Sequence, residues 1–68
     1  MLVGTVKLWD DARGFGFIKP DDSTDRDVFV HVKNLDGASE LVPGARVEYD
    51  TTFDRTRGKF HAVDVRVI

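Results

Sequence analysis

Rings and cations alternate with small or apolar residues in two short segments, a pattern that favours a binding surface over a core. In residues 27–33, Phe29 and His31 alternate with three valines and lie between Asp27 and Lys33. Successive side chains of a strand point to opposite sides, so the valines can fill a core while the two rings face away from it. Exposed rings beside a cation are suited to stacking on flat, negatively charged ligands such as unpaired nucleotides.

The second segment, residues 13–19, repeats this alternation. It places Phe15 and Phe17 on one side between the cations Arg13 and Lys19, with two glycines and an isoleucine on the other side. A buried face would not carry a cation at each end, so we predict that the rings are exposed and that the glycines mark close backbone packing. If the two segments pair, their rings form one surface. We call it the aromatic platform, and its predicted members are Phe15, Phe17, Phe29 and His31.

Five extended segments rich in β-branched and aromatic residues must position these side chains. They are residues 3–9, 14–19, 27–32, 46–53 and 60–68. The longest connection, residues 33–42, is expected to hold at most one helical turn, at residues 38–41. Five short strands in 68 residues can bury a core only by closing on themselves. The predicted fold is therefore all-β, a small five-stranded antiparallel barrel of the OB-fold type, with residues 1–68 as a single domain.

Alternation also predicts which side chains share a side of the last two strands. On the fourth strand these are Val47, Tyr49, Thr51 and Phe53. On the fifth strand they are Val63, Val65 and Val67.

The composition limits the function classes. Ten Lys and Arg against twelve Asp and Glu give a net charge of −2, so binding a polyanion would need a local basic patch and a large stacking contribution. No cysteine is present and the histidines lack a metal-ligand spacing, so we expect neither a disulfide nor a metal site. No phosphate-binding glycine loop follows residues 14–16, and we expect neither enzyme activity nor a cofactor. The lack of a long apolar run or a signal peptide predicts a cytoplasmic protein without membrane contact.

The motifs as a set resemble the cold-shock domain family in their order and approximate spacing. They are Gly-Thr-Val-Lys at 4–7, Arg-Gly-Phe-Gly-Phe-Ile at 13–18, Asp-Val-Phe-Val-His at 27–31 and Pro-Gly at 43–44. The resemblance spans nearly the whole chain. It implies a five-stranded OB-type barrel that binds single-stranded RNA and DNA, with roles as an RNA chaperone and, in bacterial members, as a transcription antiterminator.

The resemblance also implies roles for individual residues. The members of the aromatic platform match the family's stacking residues. Lys7 and Arg13 match its basic contacts to the nucleic-acid backbone, and Lys33 is expected to meet phosphates or base edges.

Three departures from the family pattern reduce the expected stacking. Leu8 stands where the family usually has a stacking tryptophan, and Trp9 follows where a partly buried phenylalanine is expected. Val32 and Ala38 stand where further aromatic residues are usual. Each stacking contact is worth roughly 1–3 kcal/mol. The platform is therefore expected to be smaller than the family norm unless Trp9 or Phe60 compensates.

Several alternatives stay open from the sequence. Trp9 either joins the platform or packs in the barrel wall, and Phe60 either extends the surface or packs within the last hairpin. The cations at residues 55–59 either join the binding surface or form a solvated loop. The function is either single-stranded nucleic-acid binding or, with a degenerate platform, an OB-type protein-interaction module. We expect a monomer, with strand exchange through residues 33–42 as the alternative.

Overall fold

The computed structural model describes residues 1–22 and 26–68 and confirms the all-β barrel. The strands are β1 (Leu2–Asp10), β2 (Phe15–Pro20), β3 (Val28–His31), β4 (Arg46–Asp54) and β5 (Lys59–Val67). They close into a barrel in the order β1-β2-β3-β5-β4. The bounds predicted from alternation differ from these by one residue at each end at most.

One seam of the barrel departs from the antiparallel arrangement that the sequence predicted. β3 pairs with β5 in parallel, with Phe29 beside His61 and Val30 beside Ala62. The other neighbouring strands pair antiparallel. Parallel strands need a long crossover, and the connection between β3 and β5, which includes β4, provides that length. The seam places β5 and its side chains next to the aromatic platform.

Every strand contributes side chains to one buried core. Its members are Val6, Ile18, Val30, Leu41, Val47, Tyr49, Ala62 and Val65. Two glycines let β1 and β2 approach closely above this core. A Cβ atom at Gly4 would lie 2.6 Å from the carbonyl oxygen of Lys19, and one at Gly16 would lie 2.8 Å from Cε3 of Trp9. The close backbone packing that the glycine pattern predicted is therefore present at Gly16.

Two bulges change which side chains face the core. In β1, Val6 pairs with Ile18 and Leu8 with Phe17, so Lys7 is the extra residue. In β5, the pairing with β4 skips one residue near Asp64, whose φ is 51°. A bulge reverses the alternation beyond it.

The bulge in β5 corrects one prediction from the sequence. Ala62 and Val65 are both buried although they are three residues apart, whereas Val63 is only half-buried and Val67 is exposed. Val63, Val65 and Val67 therefore do not share one buried side. The extra residue at Asp64 separates Val63 from Val65, which alternation alone does not reveal, and Val67 is exposed at the end of the strand.

The helical turn lies elsewhere than predicted. Residues 38–41 contain no helix, and a short 3₁₀ turn at Val32–Asn34 follows β3 directly. The backbone N–H of Val32 donates to the carbonyl of Gly14 at 2.8 Å, which holds this turn against the start of β2.

Residues 1–22 and 26–68 include no helix with the length and apolar character needed to span a membrane.

The last hairpin extends beyond the part of β4 that pairs with β1, and on its β5 side only His61 and Ala62 have a third strand, β3, beside them. β1 pairs with β4 only from Arg46 to Tyr49, so residues 50–54 of β4 have only β5 beside them. We call residues 50–63 the β4–β5 arm. Thr51 and Phe53 continue the side of β4 that carries Tyr49, but both are exposed because β1 does not extend alongside them.

An exposed ion pair ties β4 to the end of β2. The guanidinium of Arg46 donates to a carboxylate oxygen of Asp21 at 2.6 Å and to the hydroxyl of Thr5 at 2.9 Å. The hydrogen bond from Arg46 lowers the pKa of Asp21 below its usual value. A lowered pKa means that the pair stabilises the fold above the unfolded-state pKa of about 3.9 and that this contribution is lost as pH falls through the folded-state value.

We therefore expect Asp21→Asn to lower the urea midpoint of unfolding at about pH 7, and the deficit to shrink as the pH is lowered towards about 3. Glu40→Gln is the matched control, because it removes one exposed negative charge that has no ion-pair partner within the described residues. A deficit that is the same at both pH values would contradict this role of Asp21.

Candidate nucleic-acid interface

The four predicted members of the aromatic platform lie side by side on β2 and β3. Phe15 pairs with His31 across the two strands, and Phe17 pairs with Phe29. The cause is the unbroken alternation of both strands, which sends their glycines, valines and isoleucine inward. All four rings are half-buried, so part of each remains open to solvent.

Phe29 is the centre of this surface. Its ring centroid lies 5.6 Å from that of Phe15, at an interplanar angle of 31°, and 5.8 Å from that of Phe17, at 73°. Such offset and edge contacts are the arrangements that aromatic pairs favour. The rings therefore support one another in fixed orientations, and a base would meet a surface that is already ordered.

The β4–β5 arm forms the far wall of a groove beside the platform. Cζ of Arg57, in the turn of the arm, lies 5.6 Å from the centroid of the Phe29 ring, within the range of a cation–π contact. The groove has a volume of about 960 Å³. Side chains from β2, β3, the 3₁₀ turn after β3 and the arm line it, among them Phe17, Phe29, His31, Lys33, Phe60 and His61.

His31 is held in one orientation by the turn that follows it. Its Nδ1 accepts a hydrogen bond from the backbone N–H of Lys33 at 3.2 Å. In the neutral ring the proton is therefore assigned to Nε2. This assignment leaves a donor on a groove-lining ring, and that donor could meet a phosphate or a base oxygen.

Acidic neighbours partly neutralise the predicted phosphate contacts. Nζ of Lys7 lies 3.0 Å from a carboxylate oxygen of Asp27, and Nε of Arg13 lies 3.8 Å from one of Asp10. Within the described residues no carboxylate lies at ion-pairing distance from Lys33. Lys33 is therefore the most available of the three predicted cations.

The bulge in β1 decides where Trp9 and Leu8 lie, which the sequence left open for Trp9. Trp9 packs against the buried core, with its indole opposite Gly16, so it lies in the barrel wall rather than on the platform. The bulge at Lys7 is the reason, because it reverses the alternation. Leu8 instead lies beside Phe17 and is 50% exposed.

Of the arm's groove-lining side chains, sequence reasoning offered Phe60 and the cations at residues 55–59 and missed Phe53 and His61. Phe53 and Phe60 pair across β4 and β5, with centroids 5.1 Å apart at an interplanar angle of 71°. Phe60 thus packs within the hairpin, one of its two predicted placements, and it lines the groove as well. Arg57 and His61 also line it. The symmetric spacing of the two phenylalanines about residues 54–59 was a signal that could have predicted their pairing.

Within residues 1–22 and 26–68, no group of three or more His, Cys, Asp or Glu side chains is arranged to hold a metal ion. The groove combines rings, a histidine donor and a few cations. Such a set can bind a flat anionic ligand by stacking and hydrogen bonding.

Known proteins are similar to this chain over most of its length. The 'Cold-shock' DNA-binding domain family matches residues 2–68. A probable cold shock protein of Sinorhizobium fredii is 44% identical over 64 residues, which cover 91% of each chain. The cold shock protein CspA of Rhizobium meliloti is 45% identical over 68 residues, or 97% of each chain. The cold shock-like protein CspE of Escherichia coli is 43% identical over 53 residues, or 75% of each chain.

Proposed function

This chain belongs to the cold-shock DNA-binding domain family, and from that premise we propose that it binds unpaired RNA and DNA through the aromatic platform. Bases would stack on Phe15, Phe17, Phe29 and His31. The observation that carries the proposal is the contact of these rings on two paired strands, with part of each ring open to solvent. Every base has a π-face, so little sequence specificity is expected.

Stacking rather than charge would provide most of the affinity. The chain has a net charge of −2, and Lys7 and Arg13 already face carboxylates. Each stacked base contributes roughly 1–3 kcal/mol. Lys33 and the Nε2–H of His31 would add contacts to phosphates or base edges. Paired A-form RNA should bind poorly, because its bases are not splayed out for stacking.

Such binding would let the protein act as an RNA chaperone and transcription antiterminator. A base pair step in a duplex contributes about 1.4 kcal/mol on average. Stacking an unpaired base on the protein contributes a comparable free energy per base. The protein would therefore oppose weak hairpins without ATP but not long duplexes. We propose that it does so as a monomer in the cytoplasm, with residues 1–68 as one domain and without catalytic activity.

The experiment that tests this function is a fluorescence anisotropy titration at low salt. The probes are labelled oligo-dT of about nine nucleotides, within the range of OB-fold site sizes, and a labelled duplex of the same length. We expect saturable binding of the single strand and weak binding of the duplex. No saturable binding of the single strand would contradict the function and favour the alternative from the sequence, a protein-interaction module.

The salt dependence of binding should be shallow and should depend on Lys33. On single strands, log K changes by about 0.7 per log unit of salt for each phosphate neutralised. We expect Lys33→Gln to reduce this slope by about 0.7, and Lys7→Gln to reduce it less, because Lys7 already pairs with Asp27 at 3.0 Å. Titrations at several salt concentrations measure both slopes. Equal slopes for the two variants would contradict this difference between the lysines.

A further inference from the structure

An exposed aromatic pair on the β4–β5 arm has no part in the aromatic platform. Phe53 is 50% exposed and Phe60 is 61% exposed, although neither fills the core. Their contact is edge-to-face, which covers only part of each ring. A cross-strand aromatic pair adds modestly to the stability of a sheet. That contribution explains the pairing of the rings but does not require so much open ring surface.

The aromatic pair and the platform meet across the groove. The strand order β2-β3-β5-β4 places Phe29 next to His61, about one strand spacing of 4.8 Å away, so His61 continues the platform onto β5. Phe60 precedes His61 and faces the other side of β5, so it meets the platform only across the groove. Phe29, His31, Phe53 and Phe60 all line the one groove of about 960 Å³.

Positive charge accompanies the aromatic pair. Lys59 precedes Phe60 and lines the groove, and it has no carboxylate partner at ion-pairing distance within the described residues. Arg57 reaches from the turn of the arm over Phe29 and therefore links the pair to the platform. A ring and a free ammonium that line one groove match a nucleotide, which offers a base for the ring and a phosphate for the cation.

We propose that Phe60, supported by Phe53, is a further base-stacking subsite that receives the same single strand after it leaves the platform. This inference rests on the proposed function and deepens it. The single strand would cross the groove from the platform to the arm, with one base on Phe60 and a neighbouring phosphate near Lys59. The subsite compensates in part for the stacking position that Leu8 occupies on β1.

Two substitutions at one position separate stacking from support of the arm. Phe60→Leu keeps an apolar contact with Phe53 but removes the π-face, and Phe60→Trp keeps both. We expect Phe60→Leu to bind oligo-dT of about nine nucleotides at least fivefold more weakly than the unsubstituted protein. Phe60→Trp should bind as tightly as the unsubstituted protein, and the fluorescence of its added indole should be quenched as binding saturates.

The controls make the outcomes distinguishable. Val42→Ala removes apolar surface at a residue that is also 61% exposed but does not line the groove, and it should leave binding unchanged. Melting temperatures verify that each variant is folded at the temperature of titration. If the unsubstituted protein binds but Phe60→Leu binds equally well, or the added indole is not quenched, the subsite is refuted and the platform is not. If the unsubstituted protein does not bind, the proposed function fails with it.

Discussion

Replacement of Phe29 by alanine should weaken binding of oligo-dT more than any other single substitution on the platform, by about 3 kcal/mol or roughly 150-fold. Phe29 is the only one of these rings that contacts both Phe15 and Phe17 within the described residues. It also lies under Arg57. Its loss removes a stacking face and the support of two more, so the effect is expected at the upper end of the range for one base.

Phe15→Ala is the matched comparison for this prediction. Among the described phenylalanine rings Phe15 contacts Phe29 alone, so its loss should cost nearer 1 kcal/mol, or about fivefold. Both affinities can be measured by anisotropy, after thermal melting has shown that the variants are folded. Binding by Phe29→Ala within about twofold of the unsubstituted protein would mean that bases do not stack on this surface.

The largest loss of stability should follow from Gly16→Ala. Its Cβ would overlap the carbonyl oxygen of Leu8 and would lie 2.8 Å from Cε3 and 3.0 Å from Cα of Trp9. Two of these three atoms belong to the backbone of β1, so they can give way only if β1 and β2 separate. Overpacking typically costs up to about 3 kcal/mol. A chain of this length has a free energy of unfolding of only about 3–10 kcal/mol.

Gly37→Ala separates crowding from backbone strain. Gly37 has a φ of 82°, but a Cβ at this position would meet no atom within 4 Å other than those of its chain neighbours. Its replacement therefore lowers the free energy of unfolding only by the strain of the left-handed backbone conformation, about 1 kcal/mol. Urea unfolding of the two variants measures both losses. If Gly16→Ala is no less stable than Gly37→Ala, β1 and β2 do not approach each other as closely as described.

The alternation of side chains along a strand was enough to predict β2 and β3, where no bulge interrupts it. In β2 and β3 each residue pairs in sequence from Phe15 with His31 to Ile18 with Val28. The rings therefore lie on one side, and Ile18 and Val30 are buried on the other. Local pattern and tertiary structure agree there, which is why the platform residues could be named from the sequence.

Alternation failed where a strand contains an extra residue. The bulge at Lys7 turned Trp9 towards the core and Leu8 towards the platform, and the bulge at Asp64 buried Ala62 instead of Val63. A bulge depends on how two backbones fit around a curved barrel. Neither Lys nor Asp at these positions is a residue type that would reveal it.

The groove could not be predicted because its wall depends on a long-range pairing. The parallel seam between β3 and β5 places His61 beside Phe29, although the two are 32 positions apart in the chain. Nothing local to the hairpin indicates that its arm projects beyond β1 and lies beside the platform. The exposed positions of Phe53 and Phe60 follow from that placement.

Backbone amide shifts during a titration with oligo-dT of about nine nucleotides would test the central claim most directly. We expect saturable shifts centred on residues 15–17 and 29–31, with little change at Glu40 and Val42, which do not line the groove. Saturable shifts confined to residues outside the groove, with residues 15–17 and 29–31 unchanged, would contradict the account.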